Sequence, residues 1–275
     1  DMGNVEMRLK YCYLNFETGD FWFFTDPAFE VGLVHRPWVD YEQKINHYRV
    51  QGKMYLERVG LINSADFGIT YSSLIGGKMD ESYRQHVNSK YPGRYGSISV
   101  GIYNGGGYHA LEENRTKNVD GRLTLRPFPG SFPGLQLTYN VSYGDGNTAQ
   151  APAFIMNSGF LSYEDRSWTL TFQYHTAKGN SSGSYADSLG NAYKNRGYSA
   201  FAEYEIPQTP IRLFSRFDHF DSLSMGLSDH QRFIAGLAWH FYKDKKLVLD
   251  VDAFDHGGDW TWDNRIWEAA IEIRF

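Results

Sequence analysis

Positive charge is concentrated in one short stretch, residues 43–56, which contains no carboxylate. Cations held at a narrow, water-filled passage lower the barrier for anions, because the field is least screened where little water is present. The stretch therefore predicts an anion-attracting constriction. The alternative is that its charges pair with carboxylates of a surrounding wall and fix the segment in place. The expected constriction residues are Lys44, His47, Arg49, Lys53 and Arg58.

Residues of the types used in nucleophilic catalysis are present, but no local motif joins them. His219, His230, His240 and His256 are scattered over predicted loops and strand ends. Cys12 is the single cysteine, which excludes an intrachain disulfide and the cysteine-based zinc and haem motifs. We predict no enzymatic activity, no metal site and no cofactor.

Composition points to a chain that meets both lipid and water. Aromatic residues make up 17% of the 275 residues, yet the mean hydropathy is −0.50. The net charge is −5, and the sequence has no run of basic residues of the kind that contacts a phosphate backbone, so nucleic acid is excluded as a partner. Uncharged stretches are broken by Pro, Gly, Asn and Ser, which is unlike an apolar membrane helix.

Apolar and polar residues alternate with period two along most of the chain, as in Leu135–Tyr143. Most segments are ~10 residues long, the length with which a tilted strand crosses a bilayer. Short turns alternate with longer loops rich in Gly, Ser, Asn and Asp, which is typical of outer-membrane barrels. About 13 strands are predicted near residues 5–15, 28–36, 66–74, 95–105, 119–128, 133–144, 152–163, 166–177, 195–207, 210–221, 230–242, 245–256 and 264–275.

The fold class predicted is all-β: a single antiparallel transmembrane β-barrel over residues 1–275. A soluble β-sandwich also alternates, but Glu203 and Glu205 lie on a face that a sandwich would have to bury. The last segment resembles the terminal strand of outer-membrane barrels, and its aromatic end at Phe275 implies recognition by the barrel-assembly machinery. The residues expected to face lipid include Leu137, Tyr139, Leu170, Phe172 and Ile271.

Alternation also assigns the charges of the inner face, and there the two signs balance, nine against nine. Such a wall predicts a general pore with a transverse field. The basic residues are Arg8, Lys10, Arg36, Arg122, Arg126, Arg212, Arg216, Arg232 and Arg274, and the acidic ones are Glu6, Glu30, Glu203, Glu205, Asp218, Asp250, Asp252, Glu268 and Glu272.

Four segments together resemble the phosphate-selective porin O and P superfamily: Tyr13-Leu14, Val31–Pro37, Tyr55–Arg58 and Asp66–Ile69. The resemblance implies a 16-stranded Gram-negative porin in which residues 38–65 fold into the lumen as a constriction loop. The family's prominent basic ladder cannot be mapped onto this chain. We therefore expect a passive channel for small polar solutes or anions, phosphate-like anions included. Its expected surroundings are outer-membrane lipid and lipopolysaccharide, with a homotrimer as one assembly.

Strand direction adds an expectation about the start of the barrel. If both termini of an even-stranded barrel are periplasmic, the first of 13 strands begins outside, so an odd number of strands is expected before residue 1. The 16 strands that the resemblance implies make this number three. A strand at Met54–Val59 would instead close a 14-stranded barrel. Two other functions stay open: a structural barrel that sheathes another protein, such as a cytochrome, and, less favoured, a barrel hydrolase.

Overall fold

A computed structural model describes residues 9–242, 245–256 and 264–273. Thirteen strands form one sheet in which each strand pairs with the next along the chain, always antiparallel. The predicted all-β, 13-stranded antiparallel architecture is confirmed. The strands are β1 Cys12–Glu17, β2 Phe24–His35, β3 Ala65–Ile75, β4 Gly96–Tyr103, β5 Asn118–Leu125, β6 Leu135–Asp145, β7 Ala153–Glu164, β8 Trp168–Lys178, β9 Lys194–Glu205, β10 Ile211–Ser222, β11 His230–Tyr242, β12 Lys245–His256 and β13 Asn264–Ile273.

In the described ranges, three short helices lie between strands. They are α1 (Pro37–Glu42), α2 (Tyr55–Arg58) and α3 (Glu81–His86). The alternative strand at Met54–Val59 is therefore wrong, because these residues form a helical turn in which Arg58 N donates to the Met54 carbonyl and Val59 N donates to the Tyr55 carbonyl. In the described part of the chain, no helix has both the length and the apolar character needed to cross a membrane.

The two faces of the sheet differ in polarity in the opposite way to those of a water-soluble protein, whose buried face is apolar. On β6, Leu137 is 47% exposed and Tyr139 is 52% exposed, whereas Gln136 and Asn140 are each 1% exposed. The same inversion recurs on the neighbouring strands, as period two requires. The sheet therefore has a buried, largely polar inner face and an exposed, apolar outer face.

The long connection between β2 and β3, residues 36–64, lies against the inner face and is called the inner segment below. It contacts strands as far apart as β5, through Arg122, and β12, through Lys246. Because one segment reaches both of these strands, the sheet curves around it. Within the described residues β1 and β13 are not paired, so the sheet is not closed there. The expectations of 16 strands and of strands before residue 1 stay predictions.

Candidate functional site

The inner segment begins with a buried aromatic anchor on α1. Trp38 is 1% exposed, donates from its Nε1 to a Glu42 carboxylate oxygen at 2.8 Å, and meets the Phe160 ring edge-on at 5.1 Å. Pro37 occupies the first turn of α1, where its missing N–H costs no hydrogen bond. Burial raises the pKa of Glu42 to about 7, so the inner segment contains a buried carboxyl whose pKa is near neutrality.

The middle of the segment is held by strands on the far side of the sheet. Tyr48 stacks on Phe214 with the ring centroids 4.2 Å apart and an angle of 16° between the planes. Lys246 Nζ donates to the carbonyl oxygen of His47 at 2.6 Å. Farther along, the Tyr55 hydroxyl donates to the carbonyl oxygen of His219 at 2.7 Å. These contacts fix the segment along its length.

Two of the five predicted constriction residues are neutralised by carboxylates. Arg49 donates both Nη atoms to Glu57, at 2.7 and 2.8 Å, and Arg58 lies 3.2 Å from the Asp218 carboxylate of β10. Burial alone raises the Glu57 pKa, but the hydrogen bonds and charge of Arg49 outweigh burial and hold that pKa below its ordinary value. Burial, followed by the charge of Arg216, lowers the pKa of Arg58 to about 9.

The other three residues of that set have different surroundings. Lys53 is exposed, while its backbone carbonyl accepts from Arg216 at 3.1 Å. The His47 ring contacts the Lys44 carbonyl at 2.9 Å, and burial lowers the pKa of this histidine. Lys44 lines a polar pocket near α3 together with Asp40, Lys78, Arg84 and Lys90. The structure does not gather the five basic residues into one ring.

The inner face carries a mainly basic side on β5. Arg122, 1% exposed, donates to Ser97 Oγ at 2.8 Å and to the Pro37 carbonyl at 3.2 Å, and its guanidinium lies 4.4 Å from the Tyr41 ring centroid. Arg126 follows β5 and donates to the Tyr83 hydroxyl at 2.8 Å. Neither guanidinium forms a salt bridge with a described carboxylate. Both arginines therefore hold inner-segment or turn backbone in place.

The opposite side, β9 to β13, is richer in carboxylates. Arg212 donates to Glu203 at 2.7 Å and to Glu205 at 2.6 Å. Asp218 accepts from Arg216 at 2.8 Å, as well as from Arg58. The remaining predicted wall residues are placed as follows: Arg232 is bidentate to Asp252, Asp250 is buried, Lys10 lies 5.3 Å from the Tyr11 ring centroid, and Arg8 lies outside the described residues, as do Glu6, Arg274 and Phe275.

Several inner-face residues were missed from the sequence. Asp120 forms a bidentate pair with buried Arg36, with both distances 2.7 Å, and Asp66 accepts from the Gly105 backbone at 3.0 Å. Glu164 accepts from Asn88 at 3.1 Å. Three further carboxylates against one further inner-face cation, Lys246, shift the predicted balance of nine against nine toward an acidic inner face. Asp120 could have been found, because it lies two residues before Arg122 and thus on the same face of β5.

Apolar residues also lie on the inner face, where alternation alone predicts polar ones. They occur on β7 to β12, where the inner segment packs against the sheet. In the sequence such a position is indicated by an unbroken apolar run, such as Leu247-Val248-Leu249. Such a run indicates a strand covered on both faces. The residues are Phe154, Met156, Phe160, Ala177, Phe201, Phe214, Phe220, Ile234, Ala238 and Val248.

The inner face combines fixed charges with packed aromatic rings. Among the described residues, no three His, Cys, Asp or Glu side chains converge as a metal site. His219 Nδ1 and His240 Nε2 are buried atoms without a hydrogen-bond partner. No protein-family model matches the chain, and no curated protein matches it.

Proposed function

We propose that this chain is an outer-membrane porin, a passive diffusion channel for small polar solutes. The observation that carries the proposal is the inverted sheet, whose exposed face is apolar and whose buried face is polar. A protein dissolved in water rarely exposes a contiguous apolar patch larger than a few hundred Å². Here exposed large apolar side chains continue from β2 to β13. Lipid is the solvent in which such a surface is stable.

The strands suit a bilayer in length. From β2 to β13 they are 8 to 13 residues long, and a tilted strand needs about 9–11 residues to cross the hydrocarbon layer. Lipid cannot hydrogen-bond a free strand edge, so a membrane-spanning sheet must close. In the observed order β1 and β13 run in the same direction, so antiparallel closure requires an odd number of further strands. Three would make the 16 that the resemblance to the phosphate-selective porins implies.

The inner segment supports a narrow passage. Its buried side chains pack in two clusters against β7–β12, and its anchors at Trp38, Tyr48 and Tyr55 hold it across the inner face. Solutes that pass beside it meet hydroxyl, amide and charged groups. The alternative of a barrel that sheathes a second protein is not favoured, because the chain's own segment occupies that interior.

Conductance of the purified protein in planar lipid bilayers tests the proposal. We expect discrete, stable current steps and an apparent molecular weight on gels that changes on boiling, as a heat-resistant barrel requires. The control is the same preparation boiled before insertion. A protein that is monodisperse in water without detergent and gives no current steps would refute the proposal.

A further inference from the structure

The outer face of β8 and β9 changes from apolar to basic toward one end of the sheet. On β8 the outward-facing residues run from Trp168 past Tyr174 to the exposed Lys178, and β9 places the exposed Lys194 at the same end. The long β8–β9 connection, residues 179–193, lies at this end, whereas the β7–β8 turn at the other end is short. Outer-membrane barrels carry their long loops outside and their short turns in the periplasm. The proposed orientation therefore places the basic end at the outer leaflet.

The two lysines face each other without a carboxylate between them. Lys178 and Lys194 are directly opposed in the β8–β9 register, and neither forms a salt bridge with a carboxylate of the described residues. Like charges at directly opposed positions of an antiparallel pair repel each other. On the same face of β9, Arg196 donates from its Nε to Asp221 at 2.6 Å, and its side chain is 51% exposed. These residues, called the basic patch below, have an excess of positive charge that an anion would stabilise.

Toward the short-turn end, the outer face has an apolar groove beside the basic patch. Its volume is about 450 Å³, and it includes Gly159 of β7, which is paired with Tyr139 on one side and with Tyr174 on the other. Gly159 is exposed, and a Cβ atom added there would meet no other atom within 4 Å. Open, apolar space of this kind accepts a hydrocarbon chain. The other outward-facing residues of the groove are Leu123, Leu125, Leu137, Leu161 and Phe172.

The basic patch and the groove are spaced like the head group and the acyl chain of one lipid. At about 3.3 Å per residue, Lys178 lies ~13 Å beyond Tyr174 along β8. The acyl layer of one leaflet is roughly half of the ~30 Å hydrocarbon core. Between the patch and the groove lie the polar residues Asn157 and Thr176, which are paired across β7 and β8. A lipid whose head group lies at the lysines can therefore extend a chain into the groove.

From this arrangement we propose that the basic patch binds the phosphate monoester of an outer-leaflet lipid, one of whose acyl chains lies in the groove at Gly159. A phosphate monoester carries about −1.5 to −2 charge at pH 7 and offers three acceptor oxygens. These features match two opposed lysines and an arginine that Asp221 orients. A phosphodiester head group carries less charge and binds more weakly. The site rests on the proposed membrane location of the outer face.

Native mass spectrometry of the detergent-solubilised full chain tests the site. The probes are phosphatidic acid, a monoester, and phosphatidylglycerol, a diester, with identical acyl chains. We expect one phosphatidic acid per chain, bound roughly fivefold more tightly than phosphatidylglycerol. The double variant Lys178→Gln/Lys194→Gln should bind phosphatidic acid ~thirtyfold more weakly, at about fivefold per lysine. Gly159→Leu places a side chain in the groove and should weaken both lipids alike. The matched control is Lys117→Gln, an exposed lysine at the same end of the sheet that is already paired with Glu112.

Thermal unfolding in detergent, with and without phosphatidic acid, separates lipid binding from folding. Phosphatidic acid should raise the unfolding temperature of the wild type and of Lys117→Gln but not of the double lysine variant. Without lipid, the double variant should be at least as stable as the wild type, because the substitutions remove the repulsion between Lys178 and Lys194.

Four results would each overturn the proposal. They are a wild type that does not distinguish the two lipids, a double lysine variant that binds phosphatidic acid as tightly as the wild type, a Gly159→Leu variant with unchanged binding, and loss of the bound lipid to equimolar inorganic phosphate. None of these readouts depends on conductance. A chain that conducts but shows no preference for phosphatidic acid would therefore overturn the lipid site and leave the proposed channel standing.

Discussion

Tyr48 is the contact whose removal should most clearly separate the inner segment from the sheet. It is 3% exposed, stacks on Phe214 and lies with its ring centroid 4.8 Å from Lys246 Nζ. Its cluster also contains Ile234 and Val248. Tyr48→Ala deletes the ring from this packed site and leaves a cavity between the segment and β10–β12.

The size of the effect follows from that burial. Truncating a buried aromatic side chain to alanine lowers the free energy of unfolding by about 3–5 kcal/mol. Part of this loss comes from the stacked ring pair. The Tyr55 and Arg58 contacts are separate and should survive. We therefore expect the stretch between α1 and α2 to loosen while the sheet stays intact.

Urea unfolding and single-channel recording measure the two consequences. We expect the free energy of unfolding to fall by about 3 kcal/mol, and open-channel current to become larger and noisier. Tyr48→Phe is the matched control, because it keeps the stacked ring and should behave like the wild type. An Ala variant that is destabilised but conducts with unchanged current and noise would refute the view that this stretch limits the passage.

Three further results are expected. Because the Glu42 pKa is raised from 4.5 to about 7, the contribution of this carboxyl to folding stability is fully present below about pH 4.5 and is lost as the pH rises through 7. The loss is about 3 kcal/mol of unfolding free energy by pH 8. The urea unfolding midpoint of Glu42→Gln should lack this pH dependence. Arg36→Met should cost about 3–5 kcal/mol of unfolding free energy by leaving Asp120 buried and unpaired, and a double variant that adds Asp120→Asn should recover part of that loss; no recovery would show that the pair is not coupled. Leu137→Arg places a charge on the outer face and should lower folding stability in lipid vesicles by about 2–4 kcal/mol, whereas exposed Leu111→Arg in the β4–β5 loop should have little effect; equal effects would contradict a lipid-facing sheet.

The amino-acid sequence by itself determined the strands and their faces. Whether a strand forms, and which of its residues share a face, depends on alternation with period two within about ten neighbouring residues. The alternation in β6 and β8 can therefore be recognised without knowing which strands pair with them. For the same reason Asp250 and Arg212 could be assigned to the inner face from their own strands. The alternative strand at Met54–Val59 could not be distinguished from the helical turn Tyr55–Arg58, because four residues are too few to show a period.

Only the tertiary structure decided what the charges of the inner segment do. Arg58 meets Asp218 across 160 positions of sequence, and Lys246 reaches the His47 carbonyl across 199. These pairings depend on how far the sheet curves and on which strand lies opposite the segment, and neither is encoded in a local pattern. The position of apolar residues such as Phe214 on the inner face is likewise explained only by the tertiary structure, in which Tyr48 packs against them. Local periodicity specifies a strand's faces, but the partner of a buried charge depends on how the whole sheet curves around the inner segment.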